Sequence, residues 1–184
     1  MKIIFTILLI VSTALVATIA HADQNDPRLE VLFVKLKSIS SLNQAQFLSA
    51  AIWEIWAVHD SDEINALYIK GNMAMRNQDS QSALEYFNQV IELAPDFAEG
   101  WNKRATVYYL IGDYHASLAD IAETVKLEPR HFGALSGRGL CYLELQEFHL
   151  ALNAFQKALK VNPWLPDVQR NIKVLKRIIM QHVT

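Results

Sequence analysis

The chain has 184 residues, with 17 Lys and Arg against 19 Asp and Glu, for a formal net charge of −2. That length suits one domain with a core of its own, and so even a balance leaves no broad cationic surface for nucleic acid. A single cysteine, Cys141, excludes an internal disulfide, so packing alone must hold the fold together.

Residues 1–22 read as a secretory signal peptide. Lys2 supplies the positive start, and Ile3 to Val16 is apolar apart from Thr6, Ser12 and Thr13. Ala20-His21-Ala22 then places small residues at −3 and −1 of a cut before Asp23. The competing reading keeps the segment as an N-terminal anchor, because Ile3 to Ala20 approaches the roughly 20 residues that span a bilayer.

Residues 23–63 hold a polar lead-in and a helical hairpin. Leu29, Leu32, Phe33, Leu36 and Ile39 recur at helical spacing over 28–39. Ser40 to Asn43 forms a turn rich in N-cap candidates. A second helix over 44–58 carries Phe47, Leu48, Ala51, Ile52, Ile55 and Trp56 on its apolar side. The hairpin directly precedes the repeats below. It is expected to act as a diverged unit closing their N-terminal end, with Trp53 and Trp56 buried under the first repeat.

Three units follow, over 64–97, 98–131 and 132–165, each closed by Pro95, Pro129 or Pro163 at intervals of 34 residues. The first holds Leu67, Gly71 and Ala74, then Ala83, Phe87 and Val90. The second holds Trp101, Ala105 and Tyr108, then departs with Ser117, Ile121 and Thr124. The third holds Leu135, Gly139 and Tyr142, then Ala151, Phe155 and Ala158. Gly71, Ala105 and Gly139 share one position, which predicts two helices crossing there at close range. Each Pro stops a second helix, lacking an N–H and biasing its predecessor away from the α region. Residues 166–184 predict a last helix with Val168, Ile172, Leu175 and Ile179 on one line and Arg170, Lys173, Lys176 and Arg177 elsewhere. This is expected to cap the final unit; the alternative is a basic helix on anionic lipid.

A 34-residue period built as helix, turn, helix and Pro resembles the tetratricopeptide repeat (TPR). The resemblance implies an all-α, right-handed TPR helical-repeat solenoid with an N-terminal helical-hairpin cap and a C-terminal capping helix. The stretches DFAEGWNKRA and HFGALSGRG are similar to small periplasmic TPR proteins of Gram-negative, alphaproteobacterial-type bacteria. What this implies is a non-enzymatic, periplasmic or secreted scaffold binding a peptide or helix of another envelope protein. The alternative is a membrane-tethered subunit of an envelope complex. Carried over by repeat position, the groove-facing residues are Asn65, Tyr68, Asn72, Met75 and Arg76 from the first unit. The second gives Glu99, Asn102, Thr106 and Tyr109, and the third Ser136, Leu140, Leu143 and Glu144. Of the positions that grip a C-terminal carboxylate in some TPR proteins, Asn72 fits. Tyr68, Thr106, Gly133 and Gly137 do not.

No G-x-S-x-G, H-E-x-x-H, C-x-x-C or P-loop occurs, so neither an enzyme nor a cofactor or metal is expected. His115, His131 and His149 read as solvated turn residues. Asp113, Asp120, Glu123 and Glu147 read as caps and solubilising charge. Cys141 reads as a small buried hydrophobe. Lys70, Arg104 and Arg138 stand 34 apart, which predicts either a ladder of ion pairs toward acids such as Glu85 and Asp120 or a cationic line facing an acidic partner.

Overall fold

The computed structural model describes residues 23–181. The expected signal segment and the last residues of the capping region lie outside that range. The described residues form nine α-helices and no strand: α1 (Arg28–Ser38), α2 (Leu42–Trp56), α3 (Asp62–Arg76), α4 (Ser80–Leu93), α5 (Ala98–Leu110), α6 (Tyr114–Leu127), α7 (Phe132–Glu144), α8 (Phe148–Val161) and α9 (Pro166–Gln181). Helices α3 to α8 are the three repeat pairs of an all-α solenoid, and α9 packs on α8 through Val168 and Leu175.

Each pair turns by the same device. Gln78, Gly112 and Gln146 share one repeat position and have φ of 60°, 83° and 59°. The next N–H reaches back to close the first helix: Asp79 to the Ala74 carbonyl at 2.9 Å, Asp113 to Tyr108 at 2.9 Å and Glu147 to Tyr142 at 2.8 Å. Asp79 and Asp113 then cap the second helix, their carboxylates accepting the Ser82 and Ala116 N–H groups at 3.0 Å.

Inside each pair a small residue faces a large one. A Cβ on Gly71 would lie 2.7 Å from the Phe87 ring, and one on Gly139 would run into the Phe155 ring. In the middle repeat the partner is Ile121, which shares a core with Ala105. Glycine stands where the neighbour is a phenyl ring, and alanine where it is an isoleucine. The polar departures of α6 are also matched. The Ser117 hydroxyl donates to the Ala105 carbonyl at 2.8 Å and lies 3.2 Å from the Cys141 thiol, while Thr124 donates to Asp120 at 2.9 Å. Cys141 is fully buried, and burial pushes its thiol above the ordinary value.

The hairpin α1–α2 forms as expected, but not as a unit stacked ahead of the first repeat. Its core joins Leu29, Phe33, Leu36, Ile52 and Trp56 to Phe132, with Val161, Trp164 and Leu165 packed alongside. It lies across the loops that join successive repeats. Gln24 donates to the Asp96 carbonyl at 2.6 Å, Arg130 to Glu30 at 3.1 Å, and the Trp164 indole to the Leu36 carbonyl at 3.2 Å. Asp96, Arg130 and Trp164 are themselves 34 residues apart, so the lead-in and α1 together reach all three loops. On α2, Ser49 accepts from Asn162 at 3.0 Å. Trp56 is accordingly buried, and Trp53 half-buried, against the start of the third repeat and not under the first.

Candidate functional site

Helices α5 and α7 present one side each to a recess of about 300 Å³, with Asn102, Thr106 and Tyr109 on α5 and Ser136 and Leu140 on α7. Its floor is open at Gly137, which carries no side chain there, while at Gly133 the missing side chain leaves room for the Trp53 ring. A Cβ at Gly137 would meet only Ile121, at 3.5 Å. Trp53 of α2 forms an end wall, and a Cβ on Gly133 would run into its ring. A second recess of about 240 Å³ shares Ser136 and Leu140 and continues to Pro166, Val168 and Asn171 on α9. The two form one groove along α5, α7 and α9.

Thr106 is exposed and Tyr109, Ser136 and Leu140 are half-buried, so these expected groove residues come together. The Thr106 and Ser136 hydroxyls donate to their own helices, at Asn102 and Phe132, leaving oxygen lone pairs to accept from a ligand. The Tyr109 and Tyr114 hydroxyls each approach Glu144 at 3.5 Å. Burial, then the Glu144 charge, raises both phenols above their ordinary value.

The first repeat contributes less than its register implied. Asn65 closes the turn before α3, accepting from the His59 N–H at 2.9 Å and donating to its carbonyl at 2.7 Å. Asn72 donates to the Tyr68 carbonyl at 3.0 Å. Met75 packs on the first-repeat core, Leu143 on the third, and Arg76 is exposed at the end of α3.

Tyr68, expected on the groove surface, is buried with Glu99 instead, and Asn102, which edges the recess, is mostly buried against Glu99. Glu99 Oε1 accepts from the Tyr68 hydroxyl at 3.1 Å and lies 3.5 Å from Lys103 Nζ. Its Oε2 accepts from Asn102 at 2.9 Å and lies 2.9 Å from His131 Nε2. His131 Nδ1 accepts the Ala134 N–H at 3.0 Å, which places the proton on Nε2, donating to Glu99. Burial alone would raise the Glu99 carboxyl. The hydrogen bond from His131, the nearby Lys103 charge and the Asn102 hydrogen bond outweigh it and hold the carboxyl below its ordinary value. Burial and the Glu99 charge push the Tyr68 phenol far up. His131 is therefore not a solvated turn residue: it is fully buried, caps α7 and carries the Trp56 ring, while His115 and His149 are exposed.

The expected ladder has one ion-paired rung. Arg104 holds Asp120 in a bidentate pair at 2.7 Å and also reaches Asn88, so Asp120 is a buried partner and not solubilising charge. Lys70 instead lies over the Tyr86 ring at 5.9 Å, and Glu85 accepts from Gln81 at 3.3 Å. Trp53 and Lys103 are the groove residues that repeat register missed. The available signal was Gly133 and Gly137, two bare positions one turn apart where the second repeat carries Glu99 and Lys103.

Models of the tetratricopeptide repeat match residues 64–97 and 133–165. A TPR repeat-containing protein of Rhizobium etli is 33% identical over 148 residues, covering 80% of this chain and 72% of that protein. The SGT1 homolog of Bos taurus is 32% identical over 100 residues, or 54% of this chain and 30% of its own length. Among solved structures, the first TPR domain of Spaghetti (RPAP3), bound to an HSP90 peptide, aligns with a TM-score of 0.64 at 19% identity, covering 66% of this chain and 96% of that domain. That likeness carries the fold alone. With the R. etli relative matched over most of both lengths and two of its three repeats matched by the family models, the chain belongs to the tetratricopeptide repeat family.

Proposed function

We propose that this protein is a non-enzymatic scaffold that binds a peptide segment of a partner protein in the groove along α5, α7 and α9. The observation that carries the reading is the recess itself. It has a glycine floor bare at Gly137, the Trp53 ring at one end, and Thr106, Tyr109, Ser136 and Leu140 within reach of one bound segment. Hydroxyl oxygens suit a peptide backbone, and the ring and aliphatic surface suit apolar side chains.

The RPAP3 domain holds the HSP90 peptide SRMEEVD. Only the capacity to take a peptide segment comes to this chain, since several of its cations, Lys103 at the recess among them, are already held by acids of the chain. Lys103 is on Glu99, Arg104 on Asp120, and Arg130 on Glu128.

We further propose that the protein is exported and meets its partner in the cell envelope. The charged start, apolar run and Ala20-His21-Ala22 of residues 1–22 support this. Among the described residues no helix is long and apolar enough to cross a membrane.

A photo-crosslinking residue in place of Tyr109, in living cells, tests the groove. Capture from this position and not from the exposed Gln89 on α4 is expected; the reverse overturns the reading. Mass spectrometry of the native N-terminus tests export. Asp23 at the start is expected, and Met1 would favour the membrane-tethered alternative.

A further inference from the structure

The groove already holds a side chain. Trp53 rests on Gly133 so closely that a single added carbon at Gly133 would collide with the ring, and it also meets Phe132 edge-on at 5.6 Å. This contact comes from a helix outside the repeats, joined to them across sequence by the hairpin. The hairpin is docked with a defect: the Trp56 indole N–H is buried and has no hydrogen-bond partner, an arrangement that disfavours the docked state and is relieved when the helix leaves. A glycine floor fitted to an indole, filled by a helix from outside the repeats, describes a binding pocket with a resident occupant.

We infer that the Gly133 floor is an aromatic-residue pocket, that α2 holds it in the absence of ligand, and that a partner segment enters by putting its own indole-sized side chain in the place of Trp53. This rests on the groove reading above and adds what the groove selects and how it is gated. The partner is a segment presenting an exposed tryptophan or similar ring, and its binding requires α2 to withdraw.

The natural partner need not be identified first, because α2 itself serves as the probe. A fluorescein-labelled peptide of residues 42–59 is titrated into the full mature chain, with anisotropy as the readout. Trp53→Ala empties the pocket and is expected to bind the peptide at least about tenfold more tightly than wild type, since apparent affinity falls with the fraction of molecules whose pocket is open. Gly133→Leu added to Trp53→Ala should abolish that binding, and so should replacing Trp53 by alanine in the peptide. Equal binding to wild type and Trp53→Ala, or binding that survives Gly133→Leu, overturns the inference.

Should Trp53→Ala fail to fold, wild type with excess peptide gives the same decision by hydrogen exchange. Faster exchange at α1 and α2 amides is expected, and unchanged exchange overturns the proposal. Should the pocket fail while crosslinking from Tyr109 still captures a partner, the groove reading stands and only the aromatic pocket is lost. Should Tyr109 capture nothing while the peptide binds as stated, the pocket serves the hairpin alone.

Discussion

Trp56 lies flat on the His131 imidazole, with ring centroids 4.2 Å apart and planes 11° from parallel. Through that one stack the hairpin meets the buried Glu99 cluster, since His131 donates to Glu99 from its far nitrogen. Truncating Trp56 to alanine is therefore expected to remove about 3–5 kcal/mol of stability, measured by urea unfolding. Trp56→Phe keeps a ring on His131 and removes the unpaired N–H, so its loss is expected to stay below about 1.5 kcal/mol.

Glu99 is the acceptor that Tyr68, Asn102 and His131 share. Glu99→Ala strands all three donors and should lower stability by about 3–5 kcal/mol. The pH dependence has a definite sign. A carboxyl held below its ordinary value in the folded state adds stability that is fully present above the unfolded value, near pH ~4.3. That stability is lost as pH falls through the lowered folded value. Wild type should weaken on acidification through that window, and Glu99→Gln, less stable at neutral pH, should show a shallower slope there by thermal melts.

Arg104 faces Asp120 and Asn88, and its plane lies over Trp101 and Tyr108. It is not among the residues of the recess. Arg104→Met leaves the nearly buried Asp120 uncompensated and should cost about 3–5 kcal/mol, most of it recovered by adding Asp120→Leu. Crosslinking from Tyr109 should be unchanged in the double variant. Lost capture with stability restored would instead make Arg104 a ligand contact.

Gly139 and Phe155 test the small-against-large rule of the helix pairs. Gly139→Ala drives a Cβ into the Phe155 ring and should cost about 1–3 kcal/mol. Adding Phe155→Ile reproduces the alanine and isoleucine pair of the middle repeat. A double-mutant cycle should show a favourable coupling of about 1 kcal/mol or more.

Gln146 sits at φ 59° where the middle repeat has Gly112. Gln146→Gly removes the left-handed strain at some expense in unfolded-chain entropy. A net gain of up to about 1 kcal/mol is expected from chemical denaturation.

The sequence by itself determined the three repeats, their turns, their closing prolines and the apolar line of the last helix. These rest on contacts between neighbours in the chain, and a repeating contact leaves a repeating residue. Gly71 and Phe87 recur as Gly139 and Phe155, and a period of 34 exposes them in the sequence alone. The same register brought Thr106, Tyr109, Ser136 and Leu140 to one groove. It failed at Tyr68, which is buried against Glu99, because whether a groove position is open depends on what crosses it.

Only the tertiary structure decided where the hairpin goes. Its apolar spacing announces two helices but not the surface they cover, and Trp53 on Gly133 or the Trp164 indole on the Leu36 carbonyl are single contacts across 80 and 128 residues. Nothing in the chain repeats them. A buried polar hub is equally opaque in sequence, since Glu99 and His131 look like surface residues until each is the other's partner. The physical reason is the same in both cases: periodicity records contacts made once per repeat, while a strap laid across all the repeats makes each of its contacts once.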